Sequence, residues 1–340
     1  MNWKAICHSG NAIVTAVASR DAARSRKFIE TCQAAAPFEQ APAALGSYEE
    51  LLAAKNVDAV YIPLPTGLRK EWVIRAAEAG KHVVCEKPCA VDAAALEEMI
   101  AACRRNRVQF MDGVMFMHNV RLDAIRRVLD DGASIGQIKR IMTLFTFRSG
   151  EDFLRTNIRA QGGLEPAGCL GDLGWYCIRF ILWALQWQMP REVTGRILSD
   201  SGAGQAQGAV PMEFSGELVF DGGASAGFYC SFLVENQQWV HVSGTRGALG
   251  MRDYVHPLNH LEPAFEVNHV MHRVKADTEG RGNPDAVAQQ TNLFRNFANQ
   301  VLFGQLSDAW PEIALKTQRV MDACLESARA GGATVAVKGR

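Results

Sequence analysis

Two places in this 340-residue chain gather residue types that can do chemistry. The first is Glu86-Lys87-Pro88, which follows an apolar run, HVVC, that reads as a short strand. An amine at the carboxyl end of a parallel strand stands where open α/β sheets bind their ligands. The ordinary alternative is a surface charge after a strand. The second place is GDLGWYCIRFILWALQW, residues 171–187. It is apolar almost all round, the mark of a buried helix. Asp172, Tyr176 and Arg179 interrupt it at spacings i, i+4 and i+7, which put them on one face. A polar stripe on a buried helix needs partners, supplied by a site or by a satisfied structural network.

The elements that must position these residues are legible in outline. Residues 58–62 are an apolar, β-branched run stopped by Pro63 and Pro65. Residues 69–79 follow with Trp72, Val73, Ala76 and Ala77 at helical spacing, and Gly80 stands at the C-cap. With the strand before Glu86, this is a βαβ unit with parallel strands. The Pro63-Leu64-Pro65 loop and Lys87 therefore end two parallel strands of one unit. Upstream, residues 1–9 read as the tail of a helix and AIVTAVAS, residues 12–19, as a buried strand. The turn Ser19-Arg20-Asp21 leads into a helix over 22–35. Ser47 with Glu50 forms a capping box for a helix over 46–54, and Asp92 caps a helix over 91–106. A strand at 108–115 completes the first unit, with the domain boundary at 113–118.

Beyond it, a helix spans 119–131, and residues 138–148 alternate as a strand. Five more alternating runs follow, at 192–199, 212–220, 224–232, 238–244 and 248–253. Together they predict a mostly antiparallel sheet of about six strands. Asp221-Gly222-Gly223 and residues 244–247 supply turns. The polar, Gly-rich loop at 150–171 is of a length that is usually functional. Amphipathic helices at 285–303 and 311–330 and a short strand at 333–337 end the chain. The expected fold is α/β: a parallel-stranded nucleotide-binding domain over 1–115, then an α/β domain with an open sheet over 116–340.

Composition excludes several classes. The formal net charge is zero and no basic run exists, against nucleic acid as a partner. No apolar run approaches the ~18 residues of a membrane span, and no apolar signal region opens the chain. Nine scattered cysteines without a CxxC pair suit reduced thiols, so the expected location is cytoplasmic. His256, His260, His269 and His272 cluster at metal-like spacings, but Pro257 and Pro263 spoil a helix there. No metal is expected; the stretch reads as a loop near the mouth of the site or at an interface.

The motif AGKHVVCEKP, residues 79–88, resembles the signature of the glucose–fructose oxidoreductase/inositol dehydrogenase (Gfo/Idh/MocA) family of nicotinamide-dependent enzymes. The stretch GDLGWYCIRF, residues 171–180, resembles its dihydrodiol dehydrogenase-like branch. The run from Met111-Asp112-Gly113 through Gly150-Glu151-Asp152-Phe153 to Tyr176 is similar to plant and bacterial oxidoreductases of that kind. The resemblance implies a Rossmann-type first domain, with Lys87 catalytic and Pro88 shaping the nicotinamide pocket. It implies that Asp172 binds substrate and Tyr176 donates the proton. Pro63, Leu64, Pro65 and Glu86 then complete the cofactor contacts at that end. It also implies a homodimer through the free face of the C-terminal sheet. The family's T-N-x-x-H pattern is replaced here by Thr66-Gly67-Leu68-Arg69, which weakens any carry-over to Arg69 and does not touch Lys87.

The chemistry is coherent with carbonyl reduction, which puts a hydride on carbon and a proton on oxygen. A nearby ammonium favours a phenolate, so Lys87 is expected to lower the pKa of Tyr176 from its usual value of about 10. Asn157 and Arg159 in the preceding loop are lesser substrate or cofactor contacts. His118, at the domain junction, is either a substrate contact or a packed side chain. Ser19-Arg20 ends the strand that meets the adenosine ribose in such folds, and a serine and arginine there suit a 2′-phosphate. NADP is therefore the expected cofactor, with NAD the alternative; ordinary turn chemistry is the plain reading of the pair.

One family element is missing: the first strand and its glycine-rich turn, which cradle the pyrophosphate. Its absence predicts a slot lined by unpaired backbone groups. The natural start lies upstream, another segment fills the slot, or cofactor binding has been abandoned. The leading function is an NADP-dependent oxidoreductase acting on a sugar, polyol or vicinal diol. The rival is a non-catalytic ligand-binding homologue that has lost its phosphate loop.

Overall fold

The computed structural model describes residues 1–150, 152–153, 157–202, 208–277 and 284–339. Glu151, part of one motif above, lies outside them. The chain opens with helix α1 (Asn2–Ser9), closed by Gly10 in the left-handed region at φ 80°. Strand β1 (Ala16–Ala18) and helix α2 (Ala22–Ala35) follow, the Asp21 carboxylate accepting from Ala23 N at 2.8 Å as N-cap. Strand β2 (Ala43–Leu45) and helix α3 (Tyr48–Ala53), capped by Ser47, complete this part.

Strand β3 (Ala59–Ile62), helix α4 (Thr66–Glu78) and strand β4 (His82–Cys85) form the βαβ unit expected from the sequence. Helix α5 (Ala93–Arg105) then leads to strand β5 (Phe110–Asp112). The strands β3, β4 and β5 pair in parallel, with Ile62 opposite Cys85 and Cys85 opposite Asp112. Their carboxyl ends therefore lie side by side. This register sets Pro63, Glu86-Lys87 and Gly113 along one rim.

Strand β1 pairs only with β2, also in parallel, and no described strand pairs with the free edge of β1 or of β3. The expected buried strand over 12–19 is correspondingly reduced to three residues, all half-buried, and Ile13 is 73% exposed. Two strands alone give little sheet surface for other elements to cover, which leaves these side chains half-buried. No described strand joins β1 to β3. Trp3, Ile29 and Ala36 make a small core of their own beneath α1 and α2, separate from the main core.

Helix α6 (Arg121–Asp130) carries the chain into strand β6 (Ile138–Thr146). A π turn at Leu170–Gly174 runs into helix α7 (Trp175–Ala184). Strands β7 (Glu192–Asp200), β8 (Pro211–Val219), β9 (Ser225–Ser231), β10 (Gln237–Gly244), β11 (Ala248–Met251), β12 (Ala264–Val267) and β13 (Val270–Arg273) follow. Helices α8 (Gln289–Leu302) and α9 (Ala309–Arg329) and strand β14 (Val335–Ala336) close the described chain. The sheet order is β13-β12-β11-β10-β6-β9-β8-β7-β14, with β6–β9 its one parallel pair among the described residues.

The sheet thus has nine strands rather than about six. The additions are short: β12 and β13 form a hairpin whose turn, Asn268-His269, takes positive φ values of 49° and 68°. Four-residue strands give too little alternation to register beside two prolines. Helix α7 lies on one face of the sheet and is buried throughout. Met142, Leu144, Tyr229 and Trp239 remain half-buried on the other face. No helix among the described residues is long and apolar enough to cross a membrane.

Candidate active site

A cleft of about 480 Å³ lies where the rim of β3–β5 meets α7 and the second sheet. Lys87 enters it from the end of β4. Its Nζ donates to both the main-chain carbonyl and the Oδ1 of Asp172, each at 2.5 Å. Asp172 belongs to the π turn, a geometry that interrupts the α-helical ladder and recurs at functional sites. The sequence pattern read as one regular helix; the wide turn instead offers Lys87 the Asp172 carbonyl. Gly171 permits the approach, since a Cβ there would stand 3.1 Å from Cγ of Pro88. The second Asp172 oxygen takes Nε of Arg159 at 2.7 Å. Burial works against the Asp172 charge, but Lys87 and Arg159 outweigh it and hold the carboxyl below its usual range.

Tyr176 lines the same cleft and meets Lys87 with its face: Nζ lies 4.7 Å from the ring centroid. Its hydroxyl donates to Sδ of Met115 at 3.4 Å. Burial, then the carboxylates of Glu86 and Asp172, push the phenol well above its ordinary value. This corrects the expectation that Lys87 lowers it. The ammonium is committed to Asp172, and the buried ring has more anionic than cationic neighbours acting on it. Tyr176 therefore keeps its proton at neutral pH. The third polar residue of that stripe, Arg179, turns away into a buried pair with Asp112, Nη2 to Oδ2 2.5 Å, and also donates to Thr317. For Arg179 the structural-network alternative holds.

Glu86 also lines the cleft. Its Oε1 accepts from the Tyr61 hydroxyl at 2.6 Å, and Tyr61 in turn accepts from Asn2 Nδ2 at 2.6 Å. Burial and then Glu86 drive the Tyr61 pKa far up. Arg69 is 5% exposed and ties the rim together, donating to the carbonyls of Leu64, Glu86 and Pro88. Glu165 reaches across from the loop before the π turn. It accepts from Thr66 N and Oγ1 at 3.0 and 2.5 Å, at the positive end of α4. Tyr61, Arg69 and Glu165 carried no sequence signal, because their partners are distant in the chain.

The other candidates are placed as follows. Pro63 and Pro88 line the cleft, and the Lys87-Pro88 bond is cis. Leu64 contributes its carbonyl to Arg69, and Pro65 precedes α4 as its N-cap. Asn157 does not line the cleft; its Oδ1 accepts from Arg159 N and so shapes the turn that presents Arg159. His118 does not line the cleft, which fits the packed side chain of the two readings. It stacks on Trp310 with centroids 4.7 Å apart and bonds Asn296, and burial drives its pKa down to about 3. Ser19 and Arg20 stand past the end of β1, outside the cleft. The Ser19 hydroxyl donates to the Asp21 carbonyl at 2.7 Å, and Arg20 is exposed. Of the four clustered histidines, only His256 lines the cleft; His269 and His272 lie on the exposed hairpin.

The residues present fit the nicotinamide end of a dinucleotide. An amine, a carboxylate and a phenol converge there beside Gly113, where a Cβ would crowd Glu86 at 3.1 Å. Met1 and Asn2, at the N-terminus of α1, also face the cleft, and a helix N-terminus favours an anionic group. No glycine-rich turn precedes that helix in this sequence.

Comparison with known proteins agrees with this geometry. Residues 1–114 match the oxidoreductase family with an NAD-binding Rossmann fold, and residues 122–250 match the GFO/IDH/MocA C-terminal domain. The chain is 30% identical to D-xylose 1-dehydrogenase (NADP(+)) 2 of Haloferax volcanii over 94% of its length and 90% of that protein's. It is 31% identical to trans-1,2-dihydrobenzene-1,2-diol dehydrogenase of Bos taurus over 71% and 66% of the two chains. Among solved structures, the 3-ketoreductase KijD10 of Actinomadura kijaniata, in complex with NADP and TDP-benzene, superposes with a TM-score of 0.80. That match has 25% identity and covers 96% of this chain and 93% of that one. With its parallel rim, its motif lysine and its open second sheet, this chain belongs to the Gfo/Idh/MocA oxidoreductase family.

Proposed function

We propose that this chain is an NADP-dependent oxidoreductase that moves a hydride between nicotinamide and a sugar, polyol or vicinal diol. The observation that carries the reading is the meeting, in one cleft, of Lys87 from the first domain with Asp172 and Tyr176 from the second. We take the first domain as residues 1–115 and the second as 116–340. Bound nicotinamide would supply the hydride for reduction and accept it for oxidation. Tyr176, kept protonated by burial, gives its proton to the carbonyl oxygen during reduction and is re-protonated from solvent; for oxidation the phenol first loses its proton to solvent and the phenolate then takes that of the alcohol. Lys87 and Asp172, already hydrogen-bonded to each other, hold the reacting oxygen and a neighbouring hydroxyl. Phe145 and Phe147 wall the cleft and limit water beside the reacting carbon.

The preference for NADP rests on Ser19-Arg20. Asp21, the acid nearest to them, is spent as the cap of α2 and leaves Arg20 free to meet a 2′-phosphate. Relatives named for NADP and for sugar or diol substrates support the substrate class. The half-buried outer face of the second sheet, with Met142, Leu144, Tyr229 and Trp239, supports a homodimer. Sedimentation equilibrium at micromolar protein tests that point, and a monomer would refute it.

The second reading is a ligand-binding homologue without catalysis, whose cleft takes a sugar without a nicotinamide cofactor. Titrating NADPH and NADH by fluorescence separates the two. Turnover is then screened over sugars and vicinal diols. Saturable NADPH binding with turnover supports the enzyme, and binding of a sugar without any cofactor binding supports the alternative.

A further inference from the structure

The loop between β11 and β12 brings one imidazole into the cleft, that of His256. The loop is held from several sides. The Gln238 side chain accepts from His256 N at 2.6 Å and donates to its carbonyl at 3.1 Å. Val255 is fully buried, and its carbonyl accepts from Gln289 at 2.5 Å. Tyr254, 2% exposed, packs edge-on against Phe116 and Phe180. A backbone tied this way fixes where its side chain points.

The His256 ring lies edge-to-face on Phe145 with centroids 6.1 Å apart, and Phe145 lies edge-to-face on Tyr176 at 5.5 Å. The imidazole is thus one aromatic ring removed from the proposed proton donor. Neither ring nitrogen of His256 forms a hydrogen bond among the described residues. His256 is exposed at the open side of the cleft, yet partial desolvation of its ring there, with Lys87 and His260 adding to it, lowers the pKa, so the ring is neutral at pH 7. A neutral imidazole offers one donor and one acceptor. The neighbouring wall, Phe145, Phe147 and Ile158, offers neither from its side chains.

We infer that His256 is a specificity-determining residue that hydrogen-bonds a substrate hydroxyl beyond the reacting carbon, so that the cleft selects polyhydroxylated substrates over bare vicinal diols. The inference rests on the function proposed above. Lys87, Asp172 and Tyr176 engage the reacting oxygen and its neighbour. A sugar extending from them toward Phe145 brings a further hydroxyl to the imidazole, whereas a cyclic diol brings only ring carbons. A ligand that brings a hydroxyl here gains one hydrogen bond that a ligand without it does not, so the discrimination is of the order of one neutral hydrogen bond.

Two measurements on the full chain test this, turnover with NADP+ and ligand titration of the NADPH complex. The first is the kcat/KM ratio of D-glucose and D-xylose to trans-1,2-cyclohexanediol in wild type, His256→Phe and His256→Gln. The ratio is expected to fall roughly 3- to 10-fold in His256→Phe, the worth of one neutral hydrogen bond, and to recover in part in His256→Gln. The second is the imidazole NMR signal of His256, assigned by its loss in His256→Gln, during titration with D-glucose. It is expected to shift with D-glucose and not with the cyclohexanediol. An unchanged ratio overturns the proposal while turnover itself preserves the oxidoreductase reading. A D-glucose-specific shift without turnover on any substrate supports the hydrogen bond and removes the hydride-transfer reading. Absence of both shift and turnover overturns both.

Discussion

The Lys87 ammonium and the Tyr176 ring meet face-on, 4.7 Å from nitrogen to ring centroid, while the same ammonium grips Asp172 at 2.5 Å. The two domains therefore meet through a cation shared between a carboxylate and an aromatic face. The phenol hydroxyl is left to a weak thioether acceptor, Met115. A donor held only by sulfur is easily recruited by a carbonyl oxygen. On that arrangement we propose Tyr176 as the acid and Lys87 as a positioning cation.

Replacing Tyr176 by Phe keeps the ring beneath Lys87 and removes only the hydroxyl. Turnover should fall by roughly 10²- to 10⁴-fold, the usual worth of a positioned general acid. NADPH affinity should stay near wild type, because the ring packing survives. Parallel steady-state kinetics and fluorescence titration check this, and unchanged turnover would refute the assigned role.

Asp172→Asn tests the ion cluster through its pH dependence. The folded pKa of Asp172 is depressed: burial opposes the charge, but Lys87 and Arg159 prevail. Ionised Asp172 therefore contributes stability that is present above its unfolded pKa of about 3.9. That contribution is lost as pH falls through the lower folded value. The melting temperature of wild type should exceed that of Asp172→Asn at pH 7, and the gap should close as pH drops from about 5 toward 3. A gap that widens with acid would contradict the pairing.

The sequence disclosed the parts of the site that obey local rules. Lys87 was legible because a strand, helix and strand surround it, and Asp172 and Tyr176 because polar residues stand out on a buried helix. What stayed hidden depends on tertiary context. The π turn that aims the Asp172 carbonyl at Lys87 has no periodicity of its own over five residues. Glu165 finds Thr66 across 99 positions, and His118 finds Trp310 from the far end of the chain. The Tyr176 shift runs opposite to the expectation because Lys87, though close in space, is already committed to Asp172. In the fold, β1 is short and pairs with β2 alone among the described strands, something no pattern within residues 12–19 encodes.

The Asp112–Arg179 pair joins the last strand of the parallel sheet to the helix that carries Tyr176, with side chains 1% and 0% exposed. Removing one partner leaves a buried charge alone. Asp112→Ala and Arg179→Met should each cost about 3–5 kcal/mol in urea unfolding. The double variant should cost less than the sum, because neither charge is then stranded. Additive losses would show that the pair is not coupled.

His118 offers a test in the opposite direction of charge. Burial and the Arg179 charge lower its folded pKa to about 3, against about 6.5 when unfolded. Between those values the unfolded chain binds one more proton than the folded one. Stability therefore declines as pH falls from 6.5 toward 3, by about 1.4 kcal/mol per pH unit from this group. His118→Phe keeps an aromatic ring on Trp310 and removes the titration. Its stability, measured by urea unfolding from pH 6.5 to 4.5, should fall with acid less steeply than wild type by about that slope. Turnover should be retained, since the ring packs between Trp310 and Asn296 and not in the cleft. A slope identical to wild type would mean that His118 takes up its proton in the folded state, and the stacked, neutral imidazole at the domain junction would have to be abandoned.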